Sequence, residues 1–164
     1  MRLNAKTITK AAIIAAIYVL LTYAFQGISF TKIQFRLSEA LTVLPMFLPA
    51  AIPGLFVGCL IANFLGGGVL IDVALGSLAT LAAACLTRRL RKHPLIAMSM
   101  PVLLNGVIVG PMVYFVYEMG AGTFSFAALL LTCLFVALGE AAVIYTLGLA
   151  LGETIKRTGL IRGD

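Results

Sequence analysis

Long apolar segments alternate with short polar ones along the whole chain. In lipid the backbone must satisfy its own hydrogen bonds, and a helix does so within a single segment. The pattern therefore predicts an all-α integral membrane protein, a bundle of six transmembrane helices in one domain covering residues 1–164. The predicted helices are residues 8–24, 36–48, 52–65, 69–86, 95–117 and 124–151.

The second predicted helix, residues 36–48, differs from the others. It is short for a bilayer crossing, which takes ~20 residues. Prolines at positions 45, 49 and 53 follow its polar start. Proline removes a backbone donor and crowds the preceding turn, so a break before the third helix is expected. We predict that this segment is tilted, or that the proline-rich junction lies within protein rather than lipid.

Composition supports a membrane protein. Hydrophobic residues make up 62% of the chain and charged residues only 11%, and the mean hydropathy is +1.10. A soluble domain carries about 25% charged residues. The basic N-terminus precedes an apolar run as in a signal peptide, but no clear cleavage site follows, so the first helix is predicted to be retained.

The net charge of +6 is unevenly distributed. Ten of the twelve Lys and Arg residues lie in residues 2–10, 88–92 and 156–162. Six crossings would place all ten on one side of the membrane. This is the positive-inside pattern, and it predicts a protein of the cell membrane with both termini cytoplasmic. The same distribution argues against nucleic acid as a partner.

Ionisable groups within a membrane span are costly and are therefore candidates for function. Glu140 has no other charged residue within a dozen positions on either side, so its partner must be another helix or a ligand. Asn105 is predicted at a similar depth, about 15 Å from the inner end of its helix at 1.5 Å per residue. The two side chains form either the floor of one cavity or a structural hydrogen bond between helices.

Further polar groups gather near the predicted outer end. Arg36 and Glu39 share a helix face, either as an ion pair or as one wall of an outward-facing pocket. Asp72 opens a helix, where an acid also suits the dipole, and Asn63 lies at similar depth. Aromatic residues collect at the same end and suit a flat heterocycle. The candidate substrate-binding residues are Gln34, Arg36, Glu39, Asn63, Asp72, Asn105, Tyr114 and Glu140.

Small residues recur at four-residue spacing in the first helix, as Ala11/Ala15 and Ala12/Ala16. Such pairs lie on one helix face and allow close approach of another helix. They serve either packing within the bundle or docking of another subunit.

The chain lacks several signatures of catalysis. It has no P-loop, no HExxH, no Ser/His/Asp set and no CxxC, and its three cysteines stand alone in apolar runs. We therefore predict neither enzymatic activity nor a metal or other cofactor in this chain.

Three stretches carry a family resemblance: RLSEALTVLP at residues 36–45, PAAIPGLFVGCLIAN at 49–63 and GGGVLIDVALGSLA at 66–79. They resemble the QueT family, predicted substrate-binding (S) components of energy-coupling-factor (ECF) transporters. The resemblance covers nearly the whole chain. It implies the S-component bundle, with an outward-facing pocket for a queuosine precursor: queuine, preQ0 or preQ1.

The resemblance also implies partners. A transmembrane coupling subunit would meet the small residues of the first helix, and two ATPase subunits would use the ATP. Residues 27–35 would form a lid. A 7-deazaguanine offers N1–H and a 2-amino group to a carboxylate, so Glu140 or Glu39 is expected to take that edge. The alternatives are an S component for another vitamin or nucleobase, an intramembrane enzyme, and an assembly protein whose buried charges pair with each other.

Overall fold

The computed structural model describes residues 4–29, 35–119 and 122–159, and all regular structure in these ranges is helical. Four long helices dominate: α1 (Ala5–Ala24), α4 (Leu70–Arg89), α5 (Pro94–Glu118) and α6 (Phe126–Thr158). Three shorter helices complete the described part: α2 (Gln26–Ser29), a 3₁₀ helix (Leu37–Met46) and α3 (Ala51–Leu65).

The four long helices are each long and apolar enough to cross a membrane. The 3₁₀ helix has 10 residues and α3 has 15. At ~2.0 Å and ~1.5 Å of rise per residue, these give lengths of about 20 Å and 22 Å, against a hydrocarbon core of about 30 Å. The described part is therefore an all-helical, multi-pass membrane protein with four candidate spans, and the count of six crossings stays a prediction.

The last helix runs further than its apolar segment. α6 continues to Thr158, beyond the predicted end at residue 151, and its last turn carries Lys156 and Arg157. Gly159 ends it with φ of 60°, the left-handed conformation that glycine adopts without strain. Because hydropathy marks only the lipid-facing part of a helix, the polar extension was not predicted.

The 3₁₀ helix is the central element of the fold. Nine of its ten residues are buried, and it packs against α1, α4, α5 and α6. The segment predicted at residues 36–48 thus lies within protein, as one of the two alternatives anticipated. The Arg88 guanidinium of α4 donates hydrogen bonds to the carbonyl oxygens of Pro45 (3.2 Å) and Met46 (3.0 Å). These bonds hold the end of the helix where Pro45 interrupts the backbone ladder.

Helices α1 and α3 touch backbone to backbone. A Cβ atom added at Gly54 would lie 2.7 Å from the Ala11 carbonyl oxygen, and one at Gly58 would lie 2.8 Å from the Tyr18 Cβ and 3.1 Å from the Ala15 Cα. The distances of 2.7 Å and 2.8 Å are shorter than a Cβ atom tolerates, so glycine at these two positions permits the close approach. The contact holds the Tyr18 side chain, which is fully buried, against the centre of the protein.

Two apolar clusters flank that centre. One joins α1, α3 and the 3₁₀ helix around Leu44 and Leu55. The other joins α4, α5 and α6 around Val109 and Val136.

Candidate functional site

Seven buried polar residues, here called the polar cluster, converge from six helices and from the residue before the 3₁₀ helix. Each exposes 7% of its surface or less. Polar groups placed so deep in a membrane protein need partners, because lipid offers none. The members are Tyr18, Arg36, Glu39, Asn63, Asp72, Asn105 and Glu140.

Glu39 lies in the first turn of the 3₁₀ helix and is 1% exposed. The Tyr18 hydroxyl of α1 donates a short hydrogen bond to its Oε1. Next to this bond, the Thr22 and Ser38 hydroxyls lie 2.7 Å apart and tie the same two helices together. No described donor reaches Glu39 Oε2, although this oxygen is buried. Oε2 of Glu39 can therefore still accept a hydrogen bond from a ligand.

Glu140 and Asn105 meet, as their predicted depths indicated. Asn105 Nδ2 donates to Glu140 Oε1 at 2.9 Å. The Glu140 carboxyl group also lies near enough to that of Glu39 for the two to interact electrostatically. Gly148, two turns further along α6, allows this approach, since a Cβ there would lie 3.0 Å from Val43 of the 3₁₀ helix. A contact this short holds α6 against the 3₁₀ helix and brings the two carboxyl groups together.

Asp72 lies in the first turn of α4 and is 3% exposed. The Tyr117 hydroxyl donates to its Oδ2 at 3.1 Å, and no described donor reaches its buried Oδ1. Asn63 faces it across Gly76, where a Cβ would lie 2.8 Å from Asn63 Nδ2 and 3.6 Å from Asp72 Oδ1. Asn63 Nδ2 is directed to the sulfur of Cys59 at 3.5 Å, and Asn63 Oδ1 is a third buried acceptor without a described donor.

Arg36 connects the two sides of the polar cluster. Its guanidinium interacts electrostatically with the carboxyl groups of Glu39 and Asp72 and with that of Glu140. In the described part of the chain, the polar cluster thus holds three carboxyl groups and one guanidinium. If all are ionised, two negative charges are left without an opposite charge.

The remaining sequence candidates lie elsewhere. The Tyr114 hydroxyl accepts a hydrogen bond from the Ser125 backbone N–H at 2.8 Å, and its ring meets Phe115 and Phe124 edge-on. These contacts place it at the junction of α5 and α6, and none of them reaches the polar cluster. Gln34 lies outside the described residues, as does most of the proposed lid.

The four alanines of α1 divide between two faces. Ala11 and Ala15 lie against Gly54 and Gly58 of α3. Ala12 and Ala16 are exposed. Half of the predicted docking set therefore packs within the protein, and the other half remains accessible to a partner.

Sequence reasoning missed two tyrosines. Tyr18 lies in the interior of α1 rather than at a membrane interface, where tyrosine is usual. A phenol at that depth needs a hydrogen-bond acceptor, and this signal was available. Tyr117 belongs to the aromatic set at the outer end, but only the fold shows that it reaches Asp72.

A separate groove of about 230 Å³ lies between the end of the 3₁₀ helix, the start of α5 and the last turns of α6. It contains no member of the polar cluster. Its lining includes Phe47, Met98, Leu149 and Lys156. Its volume falls below the ~300 Å³ at which small-molecule pockets begin. Among the described residues, no group of three or more His, Cys, Asp or Glu side chains is arranged to hold a metal ion.

Four apolar spans around a buried polar cluster define a multi-pass membrane protein with polar groups enclosed in its centre. The family model described as QueT transporter matches residues 8–157. The chain therefore belongs to the QueT transporter family, and the resemblance noted in the sequence is confirmed.

A curated relative supports the same family. The chain is 42% identical over 76 residues to the queuosine precursor transporter QueT of Lactococcus lactis subsp. cremoris (strain MG1363). The match covers 45% of this chain and 44% of the relative, less than half of either. No solved structure matches the chain.

Proposed function

We propose that this chain is the substrate-binding S component of an ECF-type importer and that it takes up a queuosine precursor, a 7-deazaguanine base. The family membership supports a transporter, and the name of the Lactococcus relative supports this substrate class. The chain itself would not be an enzyme, and ATP would be used by the partner subunits.

The observation that carries the proposal is the set of buried acceptors without described donors: Glu39 Oε2, Asn63 Oδ1 and Asp72 Oδ1. Leaving a buried acceptor unsatisfied costs about 1–3 kcal/mol. An assembly protein whose buried charges only pair with each other would gain nothing from this cost. In a binding protein this cost is offset when a ligand rich in N–H donors forms hydrogen bonds to these acceptors.

A 7-deazaguanine presents such donors on one planar edge, the N1–H and 2-amino groups. The adjoining carboxyl groups of Glu39 and Glu140 are the acceptors we assign to this edge, with Glu39 Oε2 open to it. The 6-oxo group accepts a hydrogen bond, and Arg36 or Asn105 supplies the donor. Because the polar cluster is nearly closed to solvent, ligand entry requires the outer helix ends to separate.

The remaining parts of the proposal concern topology and partners. The 3₁₀ helix and α3 supply the two short crossings of a six-crossing bundle, and the basic residues keep both termini cytoplasmic. The accessible Ala12 and Ala16 face of α1 docks the coupling subunit, whose two ATPase subunits drive release of the substrate inward.

The test is a calorimetric titration of the purified chain in detergent, which measures ligand binding directly. Titrants are preQ1, queuine, preQ0, guanine, riboflavin and thiamine. We expect affinity for 7-deazaguanines only. Binding of a different vitamin, or no binding by protein shown to be folded, would contradict the queuosine assignment.

Variants then locate the site. Glu140→Gln keeps the size of the side chain and is expected to weaken binding by about 10-fold or more, the value of a hydrogen bond to a charged group. Glu153→Gln is the matched control, because Glu153 lies on the same helix and, among the described residues, forms an exposed ion pair with Lys156. Equal affinities for both variants and the unmodified chain would place the ligand elsewhere.

A further inference from the structure

The Asp72 side of the polar cluster has a chemistry of its own. We propose that Asp72, together with Asn63, forms a subsite for a ligand ammonium group, so that the chain selects queuosine precursors that carry an amine on the 7-substituent. This inference rests on the proposed function, since it assigns a second part of the same ligand. The cationic precursors are preQ1 and queuine, and the nitrile preQ0 is the neutral one.

The subsite contains two buried acceptors without a described donor, one on Asp72 and one on Asn63. Tyr117 holds Asp72 Oδ2 and thereby fixes the carboxylate, while Asp72 Oδ1 meets no described donor. Asn63 Oδ1 likewise meets no described donor, and the Asn63 side chain is fully buried. Gly76 leaves room for the Asn63 side chain beside Asp72, because a Cβ atom at position 76 would collide with the Asn63 amide.

An ammonium fits these acceptors better than the flat edge of the base does. The primary ammonium of preQ1 carries three N–H donors and the secondary ammonium of queuine carries two, so either can bond to a carboxylate oxygen and an amide oxygen from two different helices. The planar edge instead requires two neighbouring acceptors for two parallel donors, and the adjacent carboxyl groups of Glu39 and Glu140 supply them. The two acceptor sets therefore suit the two ends of one aminomethyl-substituted base.

The charge balance points the same way. Three carboxyl groups face one guanidinium in the described part of the polar cluster. If all three are ionised, the guanidinium balances one negative charge, and the charge of Asp72 is one of the two that remain. A buried charge without a partner is strongly unfavourable, and a single ligand ammonium at Asp72 balances it. A neutral ligand leaves it in place.

The position of Asp72 at the start of α4 gives a competing structural role, since an acid there favours the helix dipole. That role explains why the residue is acidic. It provides no donor for Asp72 Oδ1, and it predicts no dependence of binding on the charge of the ligand. The two roles are therefore separated by ligand selectivity rather than by stability.

The experiment compares preQ1 with preQ0, which share a ring and differ in the charge of the 7-substituent. Affinities are measured by calorimetry on the unmodified chain, on Asp72→Asn and on Glu118→Gln. Glu118 is the matched control, because it lies one position from Tyr117 but bonds to Thr132 of α6. We expect the unmodified chain to bind preQ1 at least 10-fold more tightly than preQ0. Asp72→Asn should weaken preQ1 binding by about 10- to 100-fold, as loss of a charge-assisted bond does, and change preQ0 binding by less than about 3-fold.

Three outcomes would overturn the subsite. The unmodified chain would bind both ligands equally, or Asp72→Asn would weaken both equally, or Glu118→Gln would reproduce the loss of selectivity. The first of these needs no variant and therefore does not depend on whether Asp72→Asn folds. Failure of the proposed function is a distinct result, in which the folded, unmodified chain binds neither ligand.

Discussion

The contact between α1 and α3 gives the sharpest test of the packing, through Gly58→Ala. The added methyl group would lie 2.8 Å from the Tyr18 Cβ and 3.1 Å from the Ala15 backbone. Ordinary carbon contacts begin at about 3.5 Å, so the helices must separate by roughly 0.7 Å. Backbone and a β-carbon are the obstructing atoms, and neither swings away as the end of a flexible side chain would.

Overpacking of this kind costs about 1–3 kcal/mol. The gain in helix propensity from glycine to alanine, about 1 kcal/mol, offsets part of it. The matched control is Gly152→Ala on α6, where the added Cβ would meet Phe47 at 3.9 Å, an ordinary contact. That variant keeps the propensity gain without the collision, so the two should differ by about 1–3 kcal/mol.

The assay is thermal or denaturant unfolding of the purified, ligand-free chain in one detergent. Gly58→Ala should unfold at a lower midpoint than the unmodified chain, and Gly152→Ala at an equal or higher one. Separation of α1 from α3 also moves the Tyr18 hydroxyl relative to Glu39, so ligand affinity should fall with Gly58→Ala alone. If the two variants had the same midpoint, the close packing of α1 on α3 would be refuted.

Three further changes have defined outcomes. Tyr18→Phe removes the donor to Glu39 Oε1 and should lower the free energy of unfolding by about 1–3 kcal/mol; an unchanged denaturation midpoint would contradict this. Arg88→Lys keeps the positive charge but loses the hydrogen bonds to two carbonyl groups at the end of the 3₁₀ helix. Amide hydrogen exchange at residues 46–48 should therefore become faster. An unchanged exchange rate would show that these bonds do not hold the end of the helix. Ala16→Leu should reduce co-purification with the coupling subunit and leave calorimetric ligand affinity unchanged; full recovery of the complex would exclude this face of α1.

Much of the architecture could be predicted, because lipid imposes a simple rule on sequence. Apolar length locates α1, α4, α5 and α6 to within a few residues at most ends, and the cost of a buried charge singles out Glu39, Asp72 and Glu140. The meeting of Asn105 and Glu140 was predicted from helix rise alone. Each of these inferences depends on one local quantity, either hydropathy or distance along a helix.

The rest depends on tertiary contacts that no local pattern encodes. The segment Leu37–Met46 reads as an α-helix, and the choice of 3₁₀ hydrogen bonding is made by packing on all sides and by Arg88 at its end. The pairing of Tyr117 with Asp72 joins residues far apart in the chain. Tyr114 was selected because it is aromatic and near the outer end, yet its hydroxyl is used at the α5–α6 junction.

The most direct test of the central claim is an experimental structure of the chain with preQ1 bound. We predict ligand density in the polar cluster, with the planar edge at Glu39 and Glu140 and the ammonium within hydrogen-bond distance of Asp72 Oδ1. Density in the groove beside Phe47 and Met98, or at the surface of the protein, would contradict the assignment of the polar cluster as the substrate site.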